Sequence, residues 1–258
     1  MERGNRYSQR PTDVYFYATC LVDLFCPEAG MDAITLLERE GITVHFPEDQ
    51  TCCGQPAYTS GFANEARAVA LTQMRLFSED WPVVIPSGSC AGIMRHHYPK
   101  LFADEPQLKA KAEALAERVF ELSEFLLNVL KVQWKDAGKP TTVTLHTSCA
   151  ARREMGTHEH ARALLAQLPN VNVALQHHES ECCGFGGTFS LKHPSISSAM
   201  AGDKADALKE TGAEAFISAD CGCMMNINTT LQKRGDAFQG RHLASFLCER
   251  LAPKGEKE

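Results

Sequence analysis

Two copies of one uncommon tripeptide, Cys52-Cys53-Gly54 and Cys182-Cys183-Gly184, constrain this chain more than any other feature. Each copy follows another cysteine at nearly the same distance: Cys20 lies 32 positions before Cys52, and Cys149 lies 33 before Cys182. Each also precedes one: Cys90 lies 37 positions after Cys53, while Cys221 and Cys223 lie 38 and 40 after Cys183. The offset between copies is therefore 129 at the first cysteine, 130 at the pair and 131 or 133 at the last. Unrelated cysteines do not keep such a register. The chain reads as an internal duplication, which settles the architecture before any local pattern is weighed.

A duplication of 258 residues predicts two modules of roughly 100–130 residues each. With 44% hydrophobic residues, each can build a core without staples. The net charge is -6, with no basic block, which speaks against a nucleic-acid partner. The first seven residues are polar and lack the apolar stretch of a signal peptide. No apolar run approaches the roughly 18–20 residues of a membrane span. With 11 cysteines and no export signal, the expectation is a cytoplasmic, reducing setting. There cysteines serve as metal ligands or redox groups rather than disulfides.

The local pattern alternates strand and helix. Residues 13–19 read as a buried strand ending at Cys20. A helix over 27–40 follows, with Met31, Ile34 and Leu37 on one face, and then a strand over 42–46 that runs into the Cys52-Cys53 loop. A helix over 61–77 carries the stripe Phe62, Ala66, Val69, Gln73 and Phe77, in which Gln73 is the one polar break. The strand over 82–85 leads to Cys90. The second module repeats the order, with strands over 143–146, 171–175 and 215–218 leading to Cys149, Cys182-Cys183 and Cys221/Cys223. Its helices fall over 158–167, 196–211 and 242–251. Such alternation implies parallel sheets built from right-handed crossovers, with ligands gathered beyond the carboxyl ends of the strands. The expected fold is α/β: two tandem Rossmann-like modules related by a pseudo-twofold, each a parallel sheet with flanking helices. The first module spans 1–104 and the second 141–258. Between them, Leu108, Ala112, Leu115, Val119, Leu122, Leu126 and Val129 keep helical spacing, so 105–140 is read as a connecting helix packed on its own modules.

Four cysteines converging on one site suit zinc or an iron–sulfur cluster, since both take thiolates. Structural zinc favours tight Cys-x-x-Cys knuckles, whereas these spacings are long. Adjacent cysteines crowd one tetrahedral ion but can serve two irons of one cluster. A disulfide between neighbours is strained, because its usual Cα separation exceeds what a trans peptide allows. The candidate ligands are therefore Cys20, Cys52, Cys53 and Cys90 in the first module. In the second they are Cys149, Cys182, Cys183 and either Cys221 or Cys223. Cys26 and Cys248 have no counterpart in the repeat and read as filler. Gly184-Phe185-Gly186-Gly187 departs from Gly-x-Gly-x-x-Gly, so it reads as backbone approaching a cluster rather than a dinucleotide loop. His177, His178, His193 and Lys192 flank the second pair and read as exposed loop residues. No arrangement for hydrolytic catalysis is legible.

The pattern Cys-x(31)-Cys-Cys-Gly-x(35)-Cys, followed by Cys-x(32)-Cys-Cys-Gly with Cys221 and Cys223, resembles the paired cysteine-rich CCG domains. That family includes the cysteine-rich subunit of heterodisulfide reductase, the iron–sulfur subunits of glycolate oxidase and anaerobic glycerol-3-phosphate dehydrogenase, and lactate-utilization proteins. The segments Pro47-Glu48-Asp49-Gln50-Thr51-Cys52-Cys53-Gly54-Gln55-Pro56 and Cys182-Cys183-Gly184-Phe185-Gly186-Gly187-Thr188-Phe189-Ser190 most resemble the lactate-utilization members. The resemblance implies one or two iron–sulfur clusters of the 4Fe–4S kind, with zinc as the alternative. It implies electron transfer within a multi-subunit oxidoreductase acting on L-lactate, the alternatives being a thiol–disulfide reductase or a glycolate or glycerol-phosphate dehydrogenase subunit. It also favours Cys223 as the last ligand, with Cys221 as a possible fifth. Heterodisulfide reductase modules end in Cys-x-x-Cys, and here Ile93 stands at the fifth-ligand position. No ferredoxin-type cysteine run is present, which implies a separate ferredoxin-like iron–sulfur subunit and a further subunit as partners.

Overall fold

The computed structural model describes residues 9–251, so the polar start read above for targeting lies outside the described residues. The chain forms two parallel four-stranded sheets. In the first, β1 (Asp13–Phe16), β2 (Thr43–His45), β3 (Val83–Ile85) and β4 (Val119–Glu121) take the order β2-β1-β3-β4. In the second, β5 (Thr141–Leu145), β6 (Val171–Ala174), β7 (Ala215–Ser218) and β8 (Gly240–His242) take the same order, β6-β5-β7-β8. All ladders are parallel: Tyr15 pairs with both His45 and Val83, and Thr144 with both Ala174 and Phe216. The central strands of the first sheet, β1 and β3, are largely apolar because helices cover both faces, and Val14, Phe16, Val83, Val84 and Ile85 are fully buried.

The flanking helices form near the expected positions: Pro27–Arg39, Ala63–Leu76, Thr157–Ala166, Pro194–Lys209 and Leu243–Arg250. Two start on a proline, whose fixed φ suits the first turn. Their buried faces match the expected stripes in part, with Leu37, Ala66, Gln73 and Phe77 buried as expected. The first helix buries Ala29, Ala33, Leu36 and Leu37, while Met31, expected inside, is 63% exposed. The second buries Ala66, Ala70 and Gln73 and leaves Phe62 exposed. Small residues let these helices lie close to the sheet, so alanine rather than the bulkier stripe marks the contact face.

The stretch over 105–140 is not one connecting helix. The helix Pro106–Ala116 ends, β4 follows, and the chain then turns through Leu122–Glu124 into a π-helical turn, Phe125–Val129. β4 completes the open edge of β3, with Val83 opposite Val119 and Ile85 opposite Glu121. Phe120 and Glu121, which helical spacing would turn outward, are both buried. An unpaired edge of buried sheet must find hydrogen-bonding partners, and that demand overrides a short amphipathic pattern. β8 plays the same part in the second sheet. His242, expected as the first residue of the closing helix, instead ends that strand and caps the helix, its Nδ1 accepting from the Ala244 N–H at 3.1 Å.

The modules share a core. Val14, Phe16, Val84 and Phe120 of the first belong to one apolar cluster with Val143, Leu145, Ile217 and Leu247 of the second. Polar contacts also cross the boundary. Asp220 Oδ1 accepts from Ser87 Oγ at 2.8 Å and Ser89 Oγ at 2.6 Å, and His242 Nε2 meets the Pro86 carbonyl at 3.1 Å. Gly88 is small for a reason: a Cβ there would stand 2.4 Å from that of Ala151.

Candidate functional site

Parallel strands deliver their loops to one end, and strand order reverses about β1 and β3 in the first sheet and about β5 and β7 in the second. Open α/β sheets bind ligands at such switch points. β1 leads into Cys20, which opens the helix Cys20–Phe25; β2 leads towards Cys52-Cys53; β3 leads to Cys90 in the short helix Gly88–Gly92. Thr19, before Cys20, holds φ at 71°, a region costly for a β-branched residue and typical of functional loops. Gln50 braces the second loop against the first strand: its Nε2 donates to the Phe16 carbonyl at 3.2 Å and its Oε1 accepts from Ala18 N–H at 2.8 Å. Gln73, the polar break in the helical stripe, is fully buried and donates to Thr51 Oγ1 at 2.7 Å. It is a strut for the cysteine loop.

The four first-module sulfurs are brought together. Cys53 Sγ lies 3.4 Å from Cys90 Sγ, and the Gly54 N–H points at Cys52 Sγ at 3.4 Å. Gly54 adopts φ of 83°, a left-handed turn that glycine takes without strain directly after the cysteine pair. Hydrogen bonds from Cys20, Cys53 and the Gly54 N–H hold the Cys52 thiol well below its ordinary range, as a thiolate. Cys20 and Cys53 are pushed up as the donors to it. A cleft of about 360 Å³, lined by Thr19, Cys20, Asp23, Phe46, Glu48 and Cys52, opens this site to solvent.

The second module reproduces the arrangement. Cys149 Sγ lies 3.9 Å from Cys182 Sγ, and the Gly184 N–H meets Cys182 Sγ at 3.4 Å with φ of 80°. Hydrogen bonds from Cys149 and Cys183 hold Cys182 as the thiolate, while Cys183 is pushed up between Cys182 and Cys223. Gly184 has no room for a side chain, since a Cβ would lie 2.6 Å from the Ser197 carbonyl oxygen. Lys204, 2% exposed, takes the place of Gln73: its Nζ donates to the His178 carbonyl at 2.6 Å and to Gln176 Oε1 at 3.3 Å.

Cys223 faces the site, whereas Cys221 is hydrogen-bonded to Cys26 across the module boundary. Cys248 is half-buried on the closing helix, beside Asp32. His177, His178, His193 and Lys192 are exposed; His178 pairs with Glu181 at 2.7 Å, and Lys192 lies 5.9 Å from the Phe62 ring centre. The Gly184–Gly187 loop is occupied by its own Phe185 ring, which fills the space a Cβ on Gly222 would need. The histidine that does reach the cysteines is His146, 1% exposed and grouped with Cys183 and Cys223. Its signal was its place three residues before Cys149, where Tyr17 stands before Cys20. Tyr17 donates to the Thr51 carbonyl at 2.5 Å, and Tyr98 to that of Cys53 at 2.9 Å.

Soft thiolates in groups of four, with small residues keeping the backbone close, fit a zinc ion or an iron–sulfur cluster and disfavour hard cations. Two such cysteine nests, each at the switch point of its own parallel sheet, define a duplicated cysteine-rich class of α/β protein. The cysteine-rich domain model, CCG, matches residues 14–95 and 143–228, and the chain belongs to that family. It is 42% identical over 237 residues to a Lactate utilization protein A from Bacillus subtilis (strain 168), covering 92% of this chain and 99% of that protein. A Lactate utilization protein A from Shouchella clausii (strain KSM-K16) is 41% identical over 235 residues, covering 91% and 98%. Among solved structures, a hypothetical protein from Helicobacter pylori superimposes with a TM-score of 0.68 at 10% identity, over 96% of this chain and 50% of that one; this likeness concerns the fold alone. Among the described residues, no helix is long and apolar enough to cross a membrane.

Proposed function

We propose that this chain is an iron–sulfur electron-transfer subunit of a multi-subunit oxidoreductase that oxidises L-lactate to pyruvate. The observation that carries the reading is the doubled convergence of four cysteines on the strand ends. Cys20, Cys52, Cys53 and Cys90 would hold one cluster, and Cys149, Cys182, Cys183 and Cys223 the other, with Cys221 outside the set. The relatives named Lactate utilization protein A, alike over more than nine-tenths of both chains, supply the substrate class. Bound clusters supply one-electron transfer; the two-electron oxidation of a 2-hydroxy acid belongs to a flavin or nicotinamide carried by a partner. Hydrogen bonds that lower the Cys52 and Cys182 thiols favour metal binding, since ligation requires deprotonated sulfur. The open cleft beside Cys20 and Cys52 suits the approach of a ferredoxin-like subunit, because loops at strand ends carry function.

A zinc-holding scaffold is the second reading, favoured by sulfur spacing. The Sγ separations of 3.4 and 3.9 Å bracket the roughly 3.8 Å edge of a tetrahedron with metal–sulfur bonds of about 2.3 Å. A polynuclear cluster sets each thiolate on its own iron, further apart.

Anaerobic purification of the full chain, with iron, sulfide and zinc assays, separates the readings. Iron with acid-labile sulfide is expected, about half of it lost in Cys53→Ser and the other half in Cys183→Ser. Cys223→Ser should empty the second site and Cys221→Ser should not. Lactate-dependent dye reduction is expected only with co-purified partners. Zinc at two per chain without sulfide, or lactate turnover by the isolated chain, would overturn the assignment.

A further inference from the structure

His146 follows the last residue of β5, where its N–H donates to the Ile217 carbonyl at 2.9 Å and fixes the backbone between the two central strands. The side chain is enclosed, and neither ring nitrogen has a hydrogen-bond partner among the described residues. Buried polar atoms in folded proteins are almost always satisfied, so an imidazole with both nitrogens unpaired needs a reason. One of those nitrogens lies within 4.8 Å of the sulfurs of both Cys183 and Cys223, which are themselves that close to each other. An imidazole in its neutral form keeps one nitrogen with a free lone pair, and this ring lies beside the two sulfurs.

Among the described residues, the first module offers nothing equivalent. Tyr17 occupies the corresponding position, and its hydroxyl is already committed to the Thr51 carbonyl. The buried Tyr98 phenol and Gln73 amide beside that site are likewise hydrogen-bonded. The duplication has thus kept the cysteines and changed the residue three positions ahead of the first one, from a hydrogen-bonded phenol to an unpaired imidazole.

We propose that His146 is a nitrogen ligand of the second metal centre, so that the first site is held by sulfur alone and the second by sulfur and nitrogen. This rests on the reading of both cysteine nests as metal centres, whatever metal they hold. A neutral imidazole beside the four thiolates leaves their summed charge unchanged but alters the donor set, and with it the reduction potential if the centres are iron–sulfur clusters. That difference would set a direction for electrons passing through the chain.

The test uses the full chain, purified anaerobically with its metal, as the Cys53→Ser variant to isolate the second site. X-ray absorption at the edge of the metal found should show a nitrogen scatterer at about 2.0–2.1 Å beside sulfur if that metal is zinc. If it is iron, pulsed EPR of the reduced protein should show one strongly coupled nitrogen that changes its coupling on 15N-histidine labelling. His146→Leu, made in the same background, should lose that signature while retaining most of the metal. The labelled protein with His146 intact gives the answer even if His146→Leu does not fold. Metal at the second site with a sulfur-only shell would overturn the proposal and leave the metal-centre reading standing. A Cys53→Ser chain that binds neither iron nor zinc, while folded, would overturn both.

Discussion

Glu121, the last residue of β4, is almost completely buried. Its Oε2 accepts from the Ser123 N–H at 2.8 Å and the Glu124 N–H at 3.3 Å, capping the turn that follows, while Oε1 has no partner among the described residues. Burial wins over these donors and pushes its pKa up to about 8. Between the ordinary carboxylate value of about 4.3 and that figure, the folded chain keeps a proton that the unfolded chain releases. Stability therefore falls as pH rises through this window. Urea denaturation from about pH 5 to about pH 8 should show a loss on the order of a few kcal/mol, and Glu121→Gln should flatten it. An unchanged slope in the variant would assign the effect elsewhere.

At the scale of elements, a buried ion pair adds to the three-residue ladder that holds β4 against β3. Arg95, in the π-helical turn Ile93–His97 that follows Cys90, donates from Nε to the Val119 carbonyl at 3.0 Å. Its two terminal nitrogens reach Glu124 Oε1 at 3.1 Å and Oε2 at 2.7 Å, with both side chains nearly dry. A bidentate pair of this kind fixes geometry, and removing one partner strands the other charge in the core. Arg95→Met should cost about 3–5 kcal/mol, measured by denaturant titration. The double change Arg95→Met with Glu124→Met should recover most of that, because no charge is then left unpaired. Equal losses in single and double variants would mean that the pair contributes through shape alone.

Across the whole molecule, neither sheet closes its core without the other. The apolar cluster that joins Val14 and Phe16 to Val143 and Leu145 covers one face of the first sheet, whose other face keeps its own cluster around Tyr17, Phe77 and Tyr98, and Asp220 secures the loop that carries Cys90. Calorimetry of the metal-free chain should give one transition whose calorimetric and van't Hoff enthalpies agree. Two resolved transitions would show that the modules unfold separately. Gly88→Val should lower that single transition, since its side chain must displace Ala151 and Thr157 of the other module.

Much of this was determined by the sequence alone, and the reason is local. A cysteine at the end of an apolar run lies at the end of a strand, and a repeat of about 130 positions copies its topology, so the parallel α/β modules and the gathering of Cys20, Cys52, Cys53, Cys90, Cys149, Cys182 and Cys183 were legible from spacing. What remained was decided by groups distant in the chain. Val119–Glu121 has helical periodicity and becomes a strand because the edge of β3 stands open beside it. Met31 points to solvent because the sheet accepts alanines at closer range. Cys221 and Cys223 stand two residues apart on one helix, about 200° around its axis, so both cannot face one site. Spacing favoured neither strongly; the packing of that helix against Cys26 turned Cys221 to the module boundary and Cys223 to the cysteines. His146 is one histidine among ten in the sequence, and only the closing of β5 against β7 encloses its ring beside two sulfurs with no other partner. Pattern reports what each segment prefers by itself, whereas burial and the pairing of polar atoms depend on what the fold brings alongside.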